Sequence, residues 1–275
     1  MARKKRMTVV PVLVALAVIL LLGILYLEEP EKQITAEPVF SESGSGAEFL
    51  PEDPDKKLTA FANQNDLSVD AWPEELRELL RKNPETEDFV LNYPFLKDAE
   101  QTIDLSEYAD CTQVPHLFQW DARWGYTQYG DKVMGLTGCG PTSLSMVSIY
   151  LLQDTKLTPK YVAQFSEENG YYTKGFGSNW TLISEGGEKL GLDVTVLPLS
   201  WEIVKSQLEK GNPVICVFGP GDFTDSGHFA VMVEAVDGMV RILDPNSQEN
   251  TDQLWEFDQI ADQIQNLWAC SLPEV

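Results

Sequence analysis

The sequence predicts an α+β domain in which helices come first and a mostly antiparallel sheet follows, with one transmembrane helix ahead of both. Three observations carry this expectation. An uncharged apolar run from Thr8 to Leu27 stands apart from everything after it. Proline-based helix starts recur at Pro73, Pro141 and Thr158-Pro159. Apolar runs broken by turn residues dominate beyond Asp193, and helices followed by strands are the α+β order.

The apolar run comes first. At about 1.5 Å per helical residue, Thr8 to Leu27 spans roughly the 30 Å of a bilayer's hydrocarbon core. Arg3, Lys4, Lys5 and Arg6 precede it, and such a basic flank stays cytoplasmic, so the rest of the chain is expected outside the cell, held by a single-pass anchor. A cleaved signal peptide is the competing reading. It wants a shorter apolar region and a small-x-small cleavage site, whereas this run ends in Tyr26-Leu27-Glu28-Glu29-Pro30. The formal net charge is −23. The basic cluster supplies +4 of it and no acid precedes Glu28, so the remainder carries −27. That charge opposes binding to nucleic acid or anionic surfaces and favours solubility.

Residues 28–58 read as an acidic linker rich in Pro, Gly and Ser, with too little apolar surface to offset its ordering entropy. Residues 59–110 read as a helical N-terminal segment. Leu76, Leu79 and Leu80 recur at helical spacing behind Pro73, Glu74 and Glu75, and a second short helix is expected over 86–90, ended by Tyr93-Pro94. This segment either packs on the main domain or serves as a pro-segment.

The main domain is expected over 111–275. Helices are predicted over 141–152, from Thr158-Pro159 to about Glu168, over 179–190 with Gly191 as the stop, and from Ser200 to Lys210. Strands are predicted over 193–197, 213–218, 228–236 and 239–243, with Asp237-Gly238 as a hairpin turn.

The chemistry concentrates around Gly138-Cys139-Gly140-Pro141-Thr142-Ser143. Glycines on both sides permit a tight turn and close approach of a substrate. The unpaired amides of a first helical turn lower a thiol's pKa and favour the nucleophilic thiolate. Cys216, inside Val214-Ile215-Cys216-Val217, reads instead as a buried structural thiol. A nucleophilic cysteine needs a base, and the chain has only two histidines. His228 opens an apolar strand, where side chains face a cleft, whereas His116 in Val114-Pro115-His116-Leu117-Phe118 reads as structural. Asp244, at the end of the next strand, suits the acceptor that fixes the imidazole's tautomer, with Asn246 a weaker candidate. The four cysteines form no CxxC pair and no zinc spacing with histidine, so no metal is expected, and a bond between Cys111 and Cys270 is left open.

These motifs together resemble the papain-like peptidases of clan CA, family thirty-nine, related to the bacteriocin-processing, double-glycine-leader enzymes, and within them a membrane-anchored, secreted Gram-positive branch. The matching residues are Gln119-Trp120-Asp121-Ala122-Arg123-Trp124-Gly125, Gly138 to Thr142, Pro220-Gly221-Asp222-Phe223-Thr224, Gly227-His228-Phe229 and Asp244-Pro245-Asn246, with Asn83-Pro84-Glu85-Thr86, Phe89-Val90 and Asn92-Tyr93-Pro94 upstream. The resemblance implies a papain-like fold and a triad placed on Cys139, His228 and Asp244. It also implies an oxyanion-hole glutamine, for which Gln119 matches by motif, although it stands well before Cys139 rather than close to it; the alternative is a glutamine that binds loop backbone. Trp120 and Trp124 read as core or cleft wall.

The implied activity is thiol-dependent hydrolysis of peptide or amide bonds with no metal or organic cofactor, on a peptide or peptidoglycan-like substrate and by a monomer. The membrane is the other partner, through the N-terminal helix. A cell-wall amidase, isopeptidase or acyltransferase would use the same residues, and an inactive binding module on this fold is the remaining alternative. The double-glycine specificity belongs to transporter-fused relatives and is not carried over.

Overall fold

A computed structural model describes residues 53–274, all within one unit. The expected anchor over 8–27 and most of the linker lie outside the described residues. Among the described residues, no helix is long and apolar enough to cross a membrane.

The first helix, Pro54–Gln64, begins inside the expected linker. The local chemistry explains it: Asp53 accepts from the backbone N–H of Asp55 and Lys56, and Pro54 sits where a missing N–H costs nothing. Helices Glu74–Lys82 and Glu87–Leu91 follow as the leucine spacing suggests. Tyr93-Pro94 does not end the helical path; it opens a further turn, Tyr93–Leu96, because proline is tolerated in a first turn. Leu58, Phe61, Trp72, Leu76, Leu80 and Phe89 bury their side chains in one apolar cluster that includes Tyr126 from the main domain. Tyr126 stacks on Phe89 with centroids 4.5 Å apart and donates its hydroxyl to the Phe89 carbonyl.

Two short antiparallel ladders come next in the chain, β1 (Gln128–Tyr129) with β2 (Lys132–Val133), and β3 (Tyr172–Thr173) with β4 (Gly177–Ser178). The main sheet is built from β5 (Asp193–Leu197), β6 (Val214–Phe218), β7 (His228–Val236), β8 (Met239–Leu243), β9 (Leu254–Glu256) and β10 (Ile264–Ser271). It runs in the order β5-β10-β6-β7-β8-β9 with every pairing antiparallel. Strand alternation divides it into two apolar faces. Ile215, Val217, Phe229 and Val231 face the cluster that holds the Cys139–Leu152 helix. Val214, Cys216, Phe218, Ala230 and Met232 face the other, beneath the Trp201–Glu209 helix. Asp237-Gly238 turns β7 into β8, both with positive φ.

The central helix Cys139–Leu152 is buried nearly all round, as expected of a helix sandwiched in a core. It starts two residues earlier than proline placement suggested, which puts Pro141 third; its missing N–H still belongs to a turn with no intrahelical acceptor. The predicted helix over 179–190 is replaced by a π-helical stretch, Leu182–Gly186, running into Gly187–Leu190, with Gly191 closing it at φ 105°. The glycine pair offers no side chain to resist the wider turn, and a Cβ on Gly187 would lie 2.8 Å from Val194.

Because Leu80 is buried in a cluster that spans residues 58 to 126, Leu80→Ala is expected to destabilise the whole unit by about 2–5 kcal/mol. Urea denaturation should then show one cooperative transition at lower midpoint, rather than an early loss of the N-terminal helices alone.

Candidate active site

Cys139 is the first residue of its helix, capped by Gly138. The site is tight: a Cβ on Gly140 would stand 2.5 Å from the Ser178 hydroxyl, so glycine is what allows β4 to approach the turn that carries Cys139. The Cys139 thiol is coupled electrostatically to His228, with smaller contributions from the backbone N–H groups of Phe229 and Gly140. His228 opens β7, paired with Phe218. Its Nε2 donates to Asp244 Oδ1 at 2.7 Å, which leaves the other ring nitrogen to the thiol. Asp244 follows β8 directly, and the antiparallel β7–β8 pairing brings its carboxylate back to the start of β7. Three residues from separate segments thus converge, with His228 hydrogen-bonded to Asp244 and coupled to Cys139.

The Asp244 carboxylate is fixed on both oxygens. Oδ1 also accepts the Asn246 backbone N–H at 2.7 Å, and Oδ2 accepts Asn250 Nδ2 at 2.8 Å. Asn246 therefore contributes its backbone, not its side chain. Asn250 escaped the sequence reading because nothing in Gln248-Glu249-Asn250 marks it; its role exists only once the chain turns back at Ser247.

Gln119 is buried, and its Nε2 donates to the Gly135 carbonyl at 2.9 Å, four residues ahead of Cys139. This is the loop-binding arrangement; the second amide hydrogen is not used in that bond. Its backbone N–H donates to the Pro245 carbonyl at 2.7 Å. His116 is structural as read: its Nε2 donates to the Asp244 carbonyl at 2.7 Å, and burial lowers its pKa. Trp120 donates Nε1 to the Asn246 carbonyl at 3.0 Å, and Trp124 donates to Phe118 within its own loop. All four cysteines are free thiols, Cys111 and Cys270 included.

Beside the sulfur opens a cleft of about 860 Å³ whose lining runs from Asp131 to Gln265. Phe176, at the tip of the β3–β4 hairpin between Gly175 and Gly177, is 89% exposed, and Trp180 stands half-exposed on the same rim. Both glycines have positive φ, which the hairpin requires.

A family profile described as "Peptidase_C39 like family" matches residues 111–271. The chain belongs to that family. Among solved structures, the peptidase domain of Streptococcus ComA, a bi-functional ABC transporter involved in a quorum-sensing pathway, is 17% identical. The match covers 50% of this chain and 93% of that one, with a TM-score of 0.40. A C39-like peptidase from Bacillus anthracis is 16% identical over 59% of this chain and 96% of that one, with a TM-score of 0.36. A curated relative named "Uncharacterized glycosyltransferase 335", from Sulfolobus islandicus rod-shaped virus 1, is 28% identical over 58% of this chain; the chain spans only 45% of its length.

The electrostatics of this C39-like domain separate its thiols. Burial works to raise the Cys139 thiol, but the hydrogen bond and charge of His228, with the two backbone N–H groups, outweigh it and hold the thiol below its ordinary value. Burial likewise disfavours the His228 cation, yet the Asp244 carboxylate and Cys139 raise it to about 10. Burial also opposes the Asp244 charge, which His228 and its other donors nonetheless keep below the usual carboxylate range. Both shifts run in the direction that favours a thiolate beside an imidazolium. Folding stabilisation from His228 is full below the ordinary imidazole value of 6.5 and is lost as pH rises through about 10. That from Asp244 is full above the ordinary carboxylate value of 3.8 and is lost as pH falls through its lowered value.

At about pH 6.5, iodoacetamide is expected to label Cys139 at least about tenfold faster than Cys111, which is comparably accessible. His228→Ala should erase the difference; peptide mass spectrometry reads both sites, and equal rates in the unaltered protein would point to an inert domain.

Proposed function

We propose that this protein is a cysteine peptidase-type hydrolase that cleaves a peptide or amide bond outside the cytoplasm, with Cys139 as nucleophile, His228 as acid–base group and Asp244 as its orienting acceptor. A helix-start thiol coupled to an imidazole that is itself hydrogen-bonded to a buried carboxylate carries this reading. The family membership supports it.

The chemistry follows from the directions in which the two groups are shifted. The Cys139 thiolate attacks the substrate carbonyl, and the developing oxyanion lies near the first-turn amides, including the Cys139 N–H. The spare hydrogen of Gln119 Nε2 is a second donor candidate. One such donor contributes about 3–4 kcal/mol of transition-state stabilisation. His228 gives its proton to the leaving amine as the C–N bond breaks, leaving a thioester. Neutral His228 then takes a proton from water, the hydroxide attacks the thioester, and the acid is released with thiolate and imidazolium restored. Asp244 keeps the ring in one tautomer and stabilises the cation throughout. An acyl acceptor other than water, such as a cell-wall amine, would enter at the last step only.

The exterior placement rests on the apolar run Thr8–Leu27 behind its basic tip, acting as an uncleaved anchor. The papain-like description of the fold rests on a nucleophile at a central helix start facing a histidine on an antiparallel sheet. The acidic remainder disfavours nucleic acid as a partner. A peptide or wall-peptide strand suits the open cleft beside Cys139, with Phe176 and Trp180 as an aromatic wall.

A screen of peptides and peptidoglycan fragments, read by product mass, is the direct test. Cys139→Ser is expected to abolish turnover, and Asp244→Asn to lower kcat by about 100-fold or more. Turnover that survives Cys139→Ser would overturn the assignment. The rate should fall on the acid side as Cys139 takes a proton and on the alkaline side as pH rises through about 10, where His228 loses its own.

Removing an exposed apolar contact affects binding before chemistry, so Phe176→Ala is expected to raise KM several-fold, about 1 kcal/mol, with kcat nearly unchanged. Steady-state kinetics on the substrate found above checks it.

A further inference from the structure

The N-terminal helical segment reaches into the turn that carries Asp244. Asn83 Nδ2 donates to the Asn246 carbonyl at 2.6 Å. The Glu85 carboxylate accepts from Gln248 N–H at 2.6 Å, Glu249 N–H at 3.0 Å and Ser247 Oγ at 3.0 Å. Those donors open the short helix Gln248–Asp252, which holds Asn250 against Asp244 Oδ2 and Thr251 Oγ1 against the Asp244 N–H. A carboxylate from residue 85 therefore satisfies the start of the element that grips the Asp244 side chain. Asn83 is itself set by the local chain, since its Oδ1 accepts the Glu85 N–H at 3.1 Å and so ties the two residues into one clamp.

The segment also stays out of the reaction space. Every residue lining the cleft beside Cys139 lies between 131 and 265. A segment that inhibits by occlusion would sit in that cleft; this one sits behind the Asp244 turn and shares an apolar cluster with the main domain.

We propose that Asn83 and Glu85 are positioning residues for the Cys139–His228–Asp244 line, and that the helical segment carrying them is a permanent part of the active enzyme rather than a pro-segment removed to activate it. The proposal rests on the catalytic reading above. Without Glu85 the Gln248 and Glu249 amides lose their acceptor, the Gln248–Asp252 helix loosens, and Asn250 no longer holds Asp244 square to the imidazole.

The test uses the full chain and follows iodoacetamide labelling of Cys139 against Cys111 from about pH 5 to 9, in the unaltered protein, Glu85→Gln, Glu85→Ala, Asn83→Ala and the control Glu78→Ala. Glu78 lies on the same segment and pairs with Lys82 at the surface. Circular dichroism and thermal melting confirm that each variant is folded. Glu85→Ala and Asn83→Ala are expected to lower the acid-side labelling of Cys139 by about tenfold or more and move its profile toward higher pH. Glu85→Gln, which keeps one acceptor oxygen, should fall between, and Glu78→Ala should match the unaltered protein. Intact mass should show that the labelled chain is uncut. If Glu85→Ala fails to fold, Glu85→Gln and Asn83→Ala decide. Unchanged profiles in the folded clamp variants, or labelling found only in a chain cut between residues 98 and 111, would overturn the proposal while leaving the triad standing. Slow, unselective labelling of the unaltered protein would overturn the catalytic reading and this proposal with it.

Discussion

The site depends on one turn that has no freedom left. From Asp244 to Asn246 every backbone donor and acceptor is matched. The Asp244 N–H meets Thr251, and its carbonyl meets His116. The Pro245 carbonyl meets the Gln119 N–H, the Asn246 N–H meets Asp244 itself, and the Asn246 carbonyl meets both Asn83 and Trp120. Complete pairing matters because a buried carboxylate is oriented only as firmly as the backbone that bears it. Besides Thr251, seven residues on, the partners come from two stretches remote in sequence, Asn83 and His116 to Trp120, so the turn is a product of the tertiary fold. It explains why a histidine and a tryptophan outside the chemistry sit in the stretch His116 to Trp124: they hold Asp244 from behind, while the Trp124 and Arg123–Asp121 contacts stiffen their own loop.

The main strands could be read because β5 to β8 are apolar runs cut by turn residues, and Asp237-Gly238 announces its hairpin. β10 could not, since Gln265 and Asn266 interrupt its apolar character at a bulge and its order comes from lying between β5 and β6. Cys139 and His228 could be found because one sits at a glycine-framed helix start and the chain offers few imidazoles. Asp244 followed from strand adjacency. Asn250, Asn83 and Glu85 left no local signal, because each acts across a contact that exists only after folding. Gln119 was located by motif, and its side chain bonds the loop backbone that leads to Cys139.

The same logic extends to the N-terminal helices. Their start at Pro54 was hidden because an acidic, polar stretch precedes it, and only the Asp53 cap distinguishes linker from helix. Once formed, the helices bury Trp72, Leu76 and Leu80 against each other and Phe89 against Tyr126. That burial fixes where Asn83 and Glu85 stand. Hydrophobic packing thus sets the position, and hydrogen bonds from the packed segment set the orientation of the distant carboxylate. Packing is not directional and could not do the second task alone.

The cysteines differ in what opposes their burial. Burial alone raises a thiol, and in Cys216 and Cys270 it does so with little opposition: Cys216 is driven strongly upward, and Cys270 to about 12. Cys139 carries a desolvation penalty too, yet ends below its ordinary value. The difference is the imidazole of His228, with smaller contributions from the Phe229 and Gly140 amides. The imidazole keeps its proton because Asp244 is ionised next to it, and Asp244 stays ionised because its donors outweigh its burial. Reactivity at Cys139 is therefore set at the far end of the line, and any change that frees the Asp244 turn should be felt at the sulfur before it is felt in the stability of the fold.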